Sequence, residues 1–208
     1  MFRRGSSADP RRAREHIVQT CVVGGGDTVE TSGSIDLGSA ATLWLDRGFG
    51  LTERVEGGCV LIEDATVDLD DGESGTFVGA WSNGSLGEFR RAPEPGRVPI
   101  LLRADPSLPV RTDLTQSNFR AACEQVAEAT NSVTLSSGGY GNRLFVSVAN
   151  ITPAIAKWWP AYRAVQVDLV VSIVPTKLWA AAGSDVTRIV GRPSSDPTNP
   201  FELAYGQD

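Results

Sequence analysis

The chain has 208 residues, of which 41% are apolar and 21% charged, and this length and composition are typical of one globular domain with a core of its own. They exclude a chain that is disordered throughout, and the longest apolar runs are too short for a membrane-spanning helix. The formal net charge is −6, but residues 1–16 carry five arginines against Asp9 and Glu15, a balance of +3 that leaves −9 for the rest. The chain beyond residue 16 is therefore too acidic to be a good binding surface for nucleic acid.

The first 21 residues predict a basic arm that contains a short helix. An aspartate cap precedes Pro10, and Ala13, Ile17 and Cys21 recur at the spacing of one helix face. Arginines in a first helical turn oppose the helix dipole, which favours a partner for the arm. Nucleic acid is expected, if anywhere, only at this arm. The candidate contact arginines are Arg3, Arg4, Arg11, Arg12 and Arg14.

Residues 22–182 predict a strand-rich core domain, because glycine runs interrupt stretches in which apolar and polar residues alternate. The clearest pattern predicts a hairpin. It consists of a strand at 61–69, turn residues at 71–74 and a returning strand at 76–81, whose two aromatic residues share one face.

A proline-rich segment at 92–110 interrupts the core pattern. It holds five of the twelve prolines, and these flank an apolar patch of Val98, Ile100, Leu101 and Leu102. Proline is confined to edges and irregular parts of sheets. We therefore expect an extended excursion across the surface, with the apolar patch as a candidate contact with a neighbouring copy.

The second half of the chain carries one good helix pattern and the strongest strand pattern. Apolar residues recur at three- and four-residue spacing over 114–130, which predicts a helix. A glycine turn is predicted at 136–142 and a strand at 143–149. The strand predicted at 164–174 has one wholly apolar face. Prolines among small polar residues at 183–208 predict an extended carboxyl-terminal arm.

A short helix is predicted to begin at Thr152 and to carry Trp158 and Trp159. Adjacent residues on a helix diverge by about 100°, so the two indoles cannot form one flat platform for a sugar or a base. We expect one tryptophan to be buried and the other to lie at an interface.

Residue types that build common catalytic and metal sites are sparse. The one histidine, His16, lies in the basic arm, so a Ser-His-Asp triad or a multi-histidine metal site is not expected in the core. The three cysteines lack C-x-x-C spacing and are expected to be reduced thiols. The acidic segment 63–73 departs from the EF-hand spacing and is interpreted as the solvated face and turn of the hairpin. Cation binding at 68–73 stays open, and no cofactor or catalytic residue is assigned.

The predicted fold is mainly β, either a β-sandwich or an α+β fold, with extended terminal arms. This organisation resembles in outline the capsid and tail proteins of viruses and bacteriophages. The resemblance implies a non-enzymatic structural subunit of a virion, in the capsid, tail, neck or a cement layer, assembling through its arms with other copies and other virion proteins. Membranes are not expected as partners, and outside a virion the location would be cytoplasmic. The alternatives are a carbohydrate-type ligand-binding β-sandwich and, third, a carboxylate-dependent hydrolase.

Overall fold

The computed structural model is mainly β with a few helices, as the sequence predicts. It describes the ranges 10–49, 53–55, 57–65, 68–93, 97–110, 124, 128, 134–140, 143–162, 165–180, 189–193 and 201–203. The helices are α1 (Pro10–Thr20), α2 (Pro153–Ala161) and α3 (Lys177–Ala180). The strands are β1 (Thr28–Asp36), β2 (Thr42–Leu45), β3 (Cys59–Ile62), β4 (Ser74–Ser82), β5 (Ser85–Arg91), β6 (Ile100–Leu102), β7 (Thr134–Tyr140), β8 (Arg143–Asn150), β9 (Val167–Pro175), β10 (Val190–Pro193) and β11 (Phe201–Leu203).

The first five strands close into a barrel. β1 pairs with β2 and β4, β2 with β3, β3 with β5, and β5 with β4, and every pair is antiparallel except β3–β5. Alternate side chains of each strand point inward and fill the barrel. Phe77 and Phe89 stack there with ring centroids 4.7 Å apart. Trp81 packs against the same core. Phe77 and Trp81, the two aromatic residues of β4, therefore share one face, as predicted.

The hairpin in this region forms between β4 and β5, closed by Asn83 and Gly84 with φ angles of 45° and 96°. Asn-Gly is the strongest two-residue signal for a hairpin turn, because both positions need a positive φ. The predicted pairing of 61–69 with 76–81 is therefore wrong. The second segment is β4 as predicted, but the first contains β3, which pairs with β2 and β5.

A second, open part of the sheet has the strand order β7-β8-β9-β6-β10-β11 and joins the barrel where β1 pairs with the end of β9. All nine residues of β9 are buried. One face of this part packs against the helices, where Ile17 and Val18 of α1 and Ile155 and Trp159 of α2 join the strand residues in one apolar cluster. The burial of both faces explains why β9 carries apolar residues on both of them.

Several local predictions are confirmed. α1 and α2 match the two short helices, β8 matches the strand at 143–149, and β9 matches the strand at 164–174. α2 begins as its sequence indicates, with Thr152 Oγ1 accepting a hydrogen bond from the Ile155 amide and a proline at the first helical position.

The helix predicted at 114–130 lies outside the described residues, apart from Glu124 and Glu128, which are both helical. Among the described residues no helix has the length and apolarity required to cross a bilayer.

The proline-rich segment does not keep its apolar patch on the surface. Val98, Ile100, Leu101 and Leu102 are buried, and the last three form β6 between β9 and β10. The prediction of an exposed contact patch is therefore wrong, because long-range strand pairing places these side chains in the core. Pro99 has no backbone N–H group, but it lies just before β6, so β6 loses none of its hydrogen bonds to neighbouring strands.

Two further segments differ from prediction. Residues 134–140 form β7, although the sequence predicts a glycine turn from residue 136 onward. A Cβ at Gly138 would lie 2.3 Å from the Phe145 ring, so the absence of a side chain at this position leaves room for the ring. Within the predicted carboxyl-terminal arm, Val190–Pro193 pairs with β6 and with β11, and Val190 is fully buried. This part of the arm is a strand of the core sheet.

Candidate functional site

A shallow cleft lies where α1 meets the end of α2 and the start of β9. Its walls include Arg11 and Arg14 of α1, Asp105 of the loop after β6, and Trp159 and Tyr162 at the end of α2. The enclosed part measures about 20 Å³, room for about one water molecule. The cleft is therefore too small to enclose a sugar or a nucleotide.

The aromatic wall of the cleft is fixed by packing and hydrogen bonding. Trp159 is buried and its Nε1 donates to the Val167 carbonyl oxygen at 2.7 Å. Trp158 is half-buried and lies 5.0 Å from Tyr162 between ring centroids. The prediction that one of the two tryptophans is buried is confirmed; an interface for Trp158 stays a prediction.

The basic wall of the cleft continues onto the outer face of α1. Arg11 and Arg12 are exposed in the first turn, which contains no acidic residue. Arg14 is half-buried and its Nε donates to the Arg103 carbonyl oxygen at 3.5 Å. His16 is exposed, as expected for a solvated helix residue. Arg3 and Arg4 lie outside the described residues.

The barrel carries the opposite charge at the end where β1 finishes and β4 begins. We call this surface the acidic rim, and it consists of five exposed carboxylates, namely Glu63, Asp64, Asp68, Asp70 and Asp71. Asp71 Oδ1 accepts a hydrogen bond from the Leu37 amide at 2.9 Å. Among the residues described, no three His, Cys, Asp or Glu side chains are grouped so that they could hold a metal ion.

Two ion pairs flank the acidic rim. Arg91 Nε and Nη2 donate to Glu73 at 2.7 and 2.8 Å, and this guanidinium lowers the pKa of Glu73 below its usual range. Arg54 pairs with Asp36, and its hydrogen bond lowers the pKa of that carboxyl as well. Both arginines are neutralised locally, so the rim keeps its negative charge, with Arg90 as an exposed basic neighbour.

Two exposed leucines lie beside the acidic rim. Leu37 is 39% and Leu61 49% exposed. Thr42 of β2 pairs with Asp36 on one edge and with Leu61 on the other, so Leu61 lies two strands, roughly 10 Å, from the residue that precedes Leu37. These two leucines are the large apolar side chains that the described residues expose most.

No family model, curated protein or solved structure matches the chain. Function must therefore be inferred from the chemistry of its own surfaces and interior.

Two buried carboxylates, those of Glu30 and Asp168, are hydrogen-bonded within the protein. Glu30 of β1 is fully buried, and its Oε2 accepts from Arg97 Nη2 at 2.8 Å and from Trp179 Nε1 at 3.0 Å. Asp168 of β9 accepts from the Ala104 amide at 2.7 Å. These bonds tie the barrel and the helices to the sheet, which is a structural use of charge that the sequence analysis did not identify.

Cys21 is a buried thiol at the end of α1, and burial raises its pKa to about 12. At pH 8 its thiolate fraction is roughly a thousandfold lower than that of an unfolded thiol. In a protein with Cys59→Ser and Cys123→Ser, we expect Cys21 to react with iodoacetamide at least a hundredfold more slowly in buffer than in urea, as measured by mass spectrometry. Equal rates in buffer and urea would contradict the burial of this helix end.

Proposed function

We propose that the chain is a structural subunit of a virus or bacteriophage particle, held in place by contacts between its charged surfaces and neighbouring subunits. The observation that carries the proposal is the separation of charge between the first turn of α1 and the acidic rim. Arg11 and Arg12 are exposed on one, and five carboxylates are exposed on the other. Complementary charged surfaces of this kind orient and select partners in assemblies.

The position of the positive charge supports a partner for α1. The amino-terminal end of a helix already carries a partial positive charge, so arginines there raise the energy of the isolated chain. Contact with a carboxylate surface reverses this cost. Arg3 and Arg4 lie a few residues before the helix in sequence and add to the positive charge of the arm, which is the role that we propose for the amino-terminal arm.

The acidic body supports a protein partner over nucleic acid. Outside residues 1–16 the chain carries a net charge of −9 from the sequence, which repels a phosphate backbone except at α1. Among particle components this favours a tail, neck or cement position over a shell that lines the genome. The cleft, which encloses only about 20 Å³, gives no support to a carbohydrate-binding β-sandwich.

The proposal is tested by the protein content of purified particles. Particles from the source of this sequence, banded to constant density, should contain the chain in a fixed molar ratio to the major shell protein by quantitative mass spectrometry. The ratio should survive a second gradient at low salt and fall after a wash at high salt, because salt screens contacts between exposed charges. Recovery of the chain only in the soluble fraction of infected or producing cells would contradict the proposal.

A further inference from the structure

We propose, on the basis of the proposed function, that the partner of α1 is a second copy of this chain, whose acidic rim and exposed leucines dock on the first turn of α1 and the cleft beside it. The contact is head-to-tail: each copy offers its α1 surface to one neighbour and its rim to another. No other macromolecule is needed to complete the pairing.

The two surfaces are complementary in charge. Arg11 and Arg12 are exposed on α1, and Arg14 lies at the cleft. The rim offers five exposed carboxylates, and the neighbouring Arg54 and Arg91 already pair with Asp36 and Glu73. Glu15 and Asp105 share the cleft wall with Arg11 and Arg14, so the exposed Arg12 is the principal basic contact of the α1 surface. The carboxylates of the rim complement it, because guanidinium binds carboxylate through two parallel hydrogen bonds.

The apolar parts of the two surfaces also match. Leu37 and Leu61 stand exposed beside the rim, while Tyr162 and Val165 are half-buried in the wall of the cleft, next to Arg11. An apolar centre surrounded by charged groups is the arrangement that stabilises protein interfaces.

The placement of the two surfaces makes the contact intermolecular. The chain passes from α1 through Val22 and Val23, which bond with Ile151, into the start of β1. The rim lies at the other end of β1, where Asp71 bonds with Leu37. The nine residues of β1 span about 30 Å. One copy therefore cannot join its own two surfaces, and repetition of the contact produces a ring or a filament.

Charge reversal tests the pairing without disturbing the core, since both substituted residues are exposed. At low salt we expect Arg12→Glu to weaken self-association at least tenfold in sedimentation equilibrium, and Asp70→Lys to do the same. An equimolar mixture of the two variants should associate again, because each altered surface then meets a complementary one. Leu61→Thr should weaken association several-fold at both low and high salt, since its contribution is apolar.

Lys157→Glu is the matched control, because it makes the same change in charge at an exposed position of α2. It should leave the dissociation constant within about twofold of the wild-type value. If Arg12→Glu behaves like this control, or if the mixture fails to associate, the head-to-tail contact is wrong, while the proposed function still stands if particles contain the chain. If Arg12→Glu abolishes binding to single-stranded DNA and leaves self-association intact, α1 serves nucleic acid and the inference is overturned. A wild-type chain that remains monomeric overturns it too.

Discussion

Gly33→Ala is expected to lower the free energy of unfolding by about 3–5 kcal/mol, near the upper end for a single substitution. Gly33 lies on β1 inside the barrel, opposite Leu45 of β2 and Gly75 of β4. A Cβ there would lie 2.1 Å from the carbonyl oxygen of Trp44 and 2.9 Å from its carbonyl carbon. Both atoms belong to the backbone, so the steric clash can be removed only if β2 moves away from β1. That movement would open the barrel.

Gly25→Ala is the matched control for this substitution. Gly25 lies in the turn before β1, and a Cβ at this position would meet no atom within 4 Å. We expect its effect on the free energy of unfolding to stay within about 0.5 kcal/mol. Urea unfolding followed by tryptophan fluorescence measures both. A loss below about 1 kcal/mol for Gly33→Ala would contradict the close approach of β1 and β2.

Glu30→Gln is expected to cost about 3 kcal/mol of unfolding free energy, because it leaves the Arg97 guanidinium beside a buried neutral group. The Glu30 side chain is fully buried, and that of Arg97 is only 22% exposed. Arg97 also lies over the Trp179 ring, 5.0 Å from its centroid. The loss should therefore combine a broken ion pair with a disturbed contact between the sheet and α3.

Two further variants separate the ion pair from simple loss of packing. Glu73→Gln removes a carboxylate from the pair with Arg91, and we expect it to cost less than about 1 kcal/mol, because the Arg91 guanidinium is half exposed and stays solvated when its partner is lost. Arg97→Met in the Glu30→Gln background should recover part of the lost stability, since it removes the uncompensated charge. A double variant less stable than Glu30→Gln would show that the charge of Arg97 is not the cause.

The elements that the sequence predicts well are those decided by local pattern. α1, α2, β8 and β9 each carry their own periodicity or cap within one segment. β6 could not be predicted in this way, because three apolar residues near Pro99 become a strand only through pairing with β9 and β10. The glycine-rich β7 likewise owes its conformation to β8, whose Phe145 ring lies where a Cβ at Gly138 would be.

The candidate surfaces were predictable in part. The arginines of α1 and the acidic segment stand out in the sequence by charge. The alternation around Leu61 places that residue on the inner face, whereas the structure exposes it and buries Ile62. A shift of one residue in register exchanges the two faces of a strand. Glu30 gave no local signal, since Arg97 and Trp179 lie 67 and 149 residues further along the chain.

The mass of the purified wild-type chain in solution, measured by light scattering at about 0.05 M and about 0.5 M salt, tests the central claim most directly. Contacts between exposed charges weaken as the screening length falls from about 14 Å to about 4 Å over this range. We predict discrete species larger than the 22.1 kDa chain at low salt, which dissociate at high salt. A monomer at both concentrations would contradict assembly through the charged surfaces of α1 and the acidic rim.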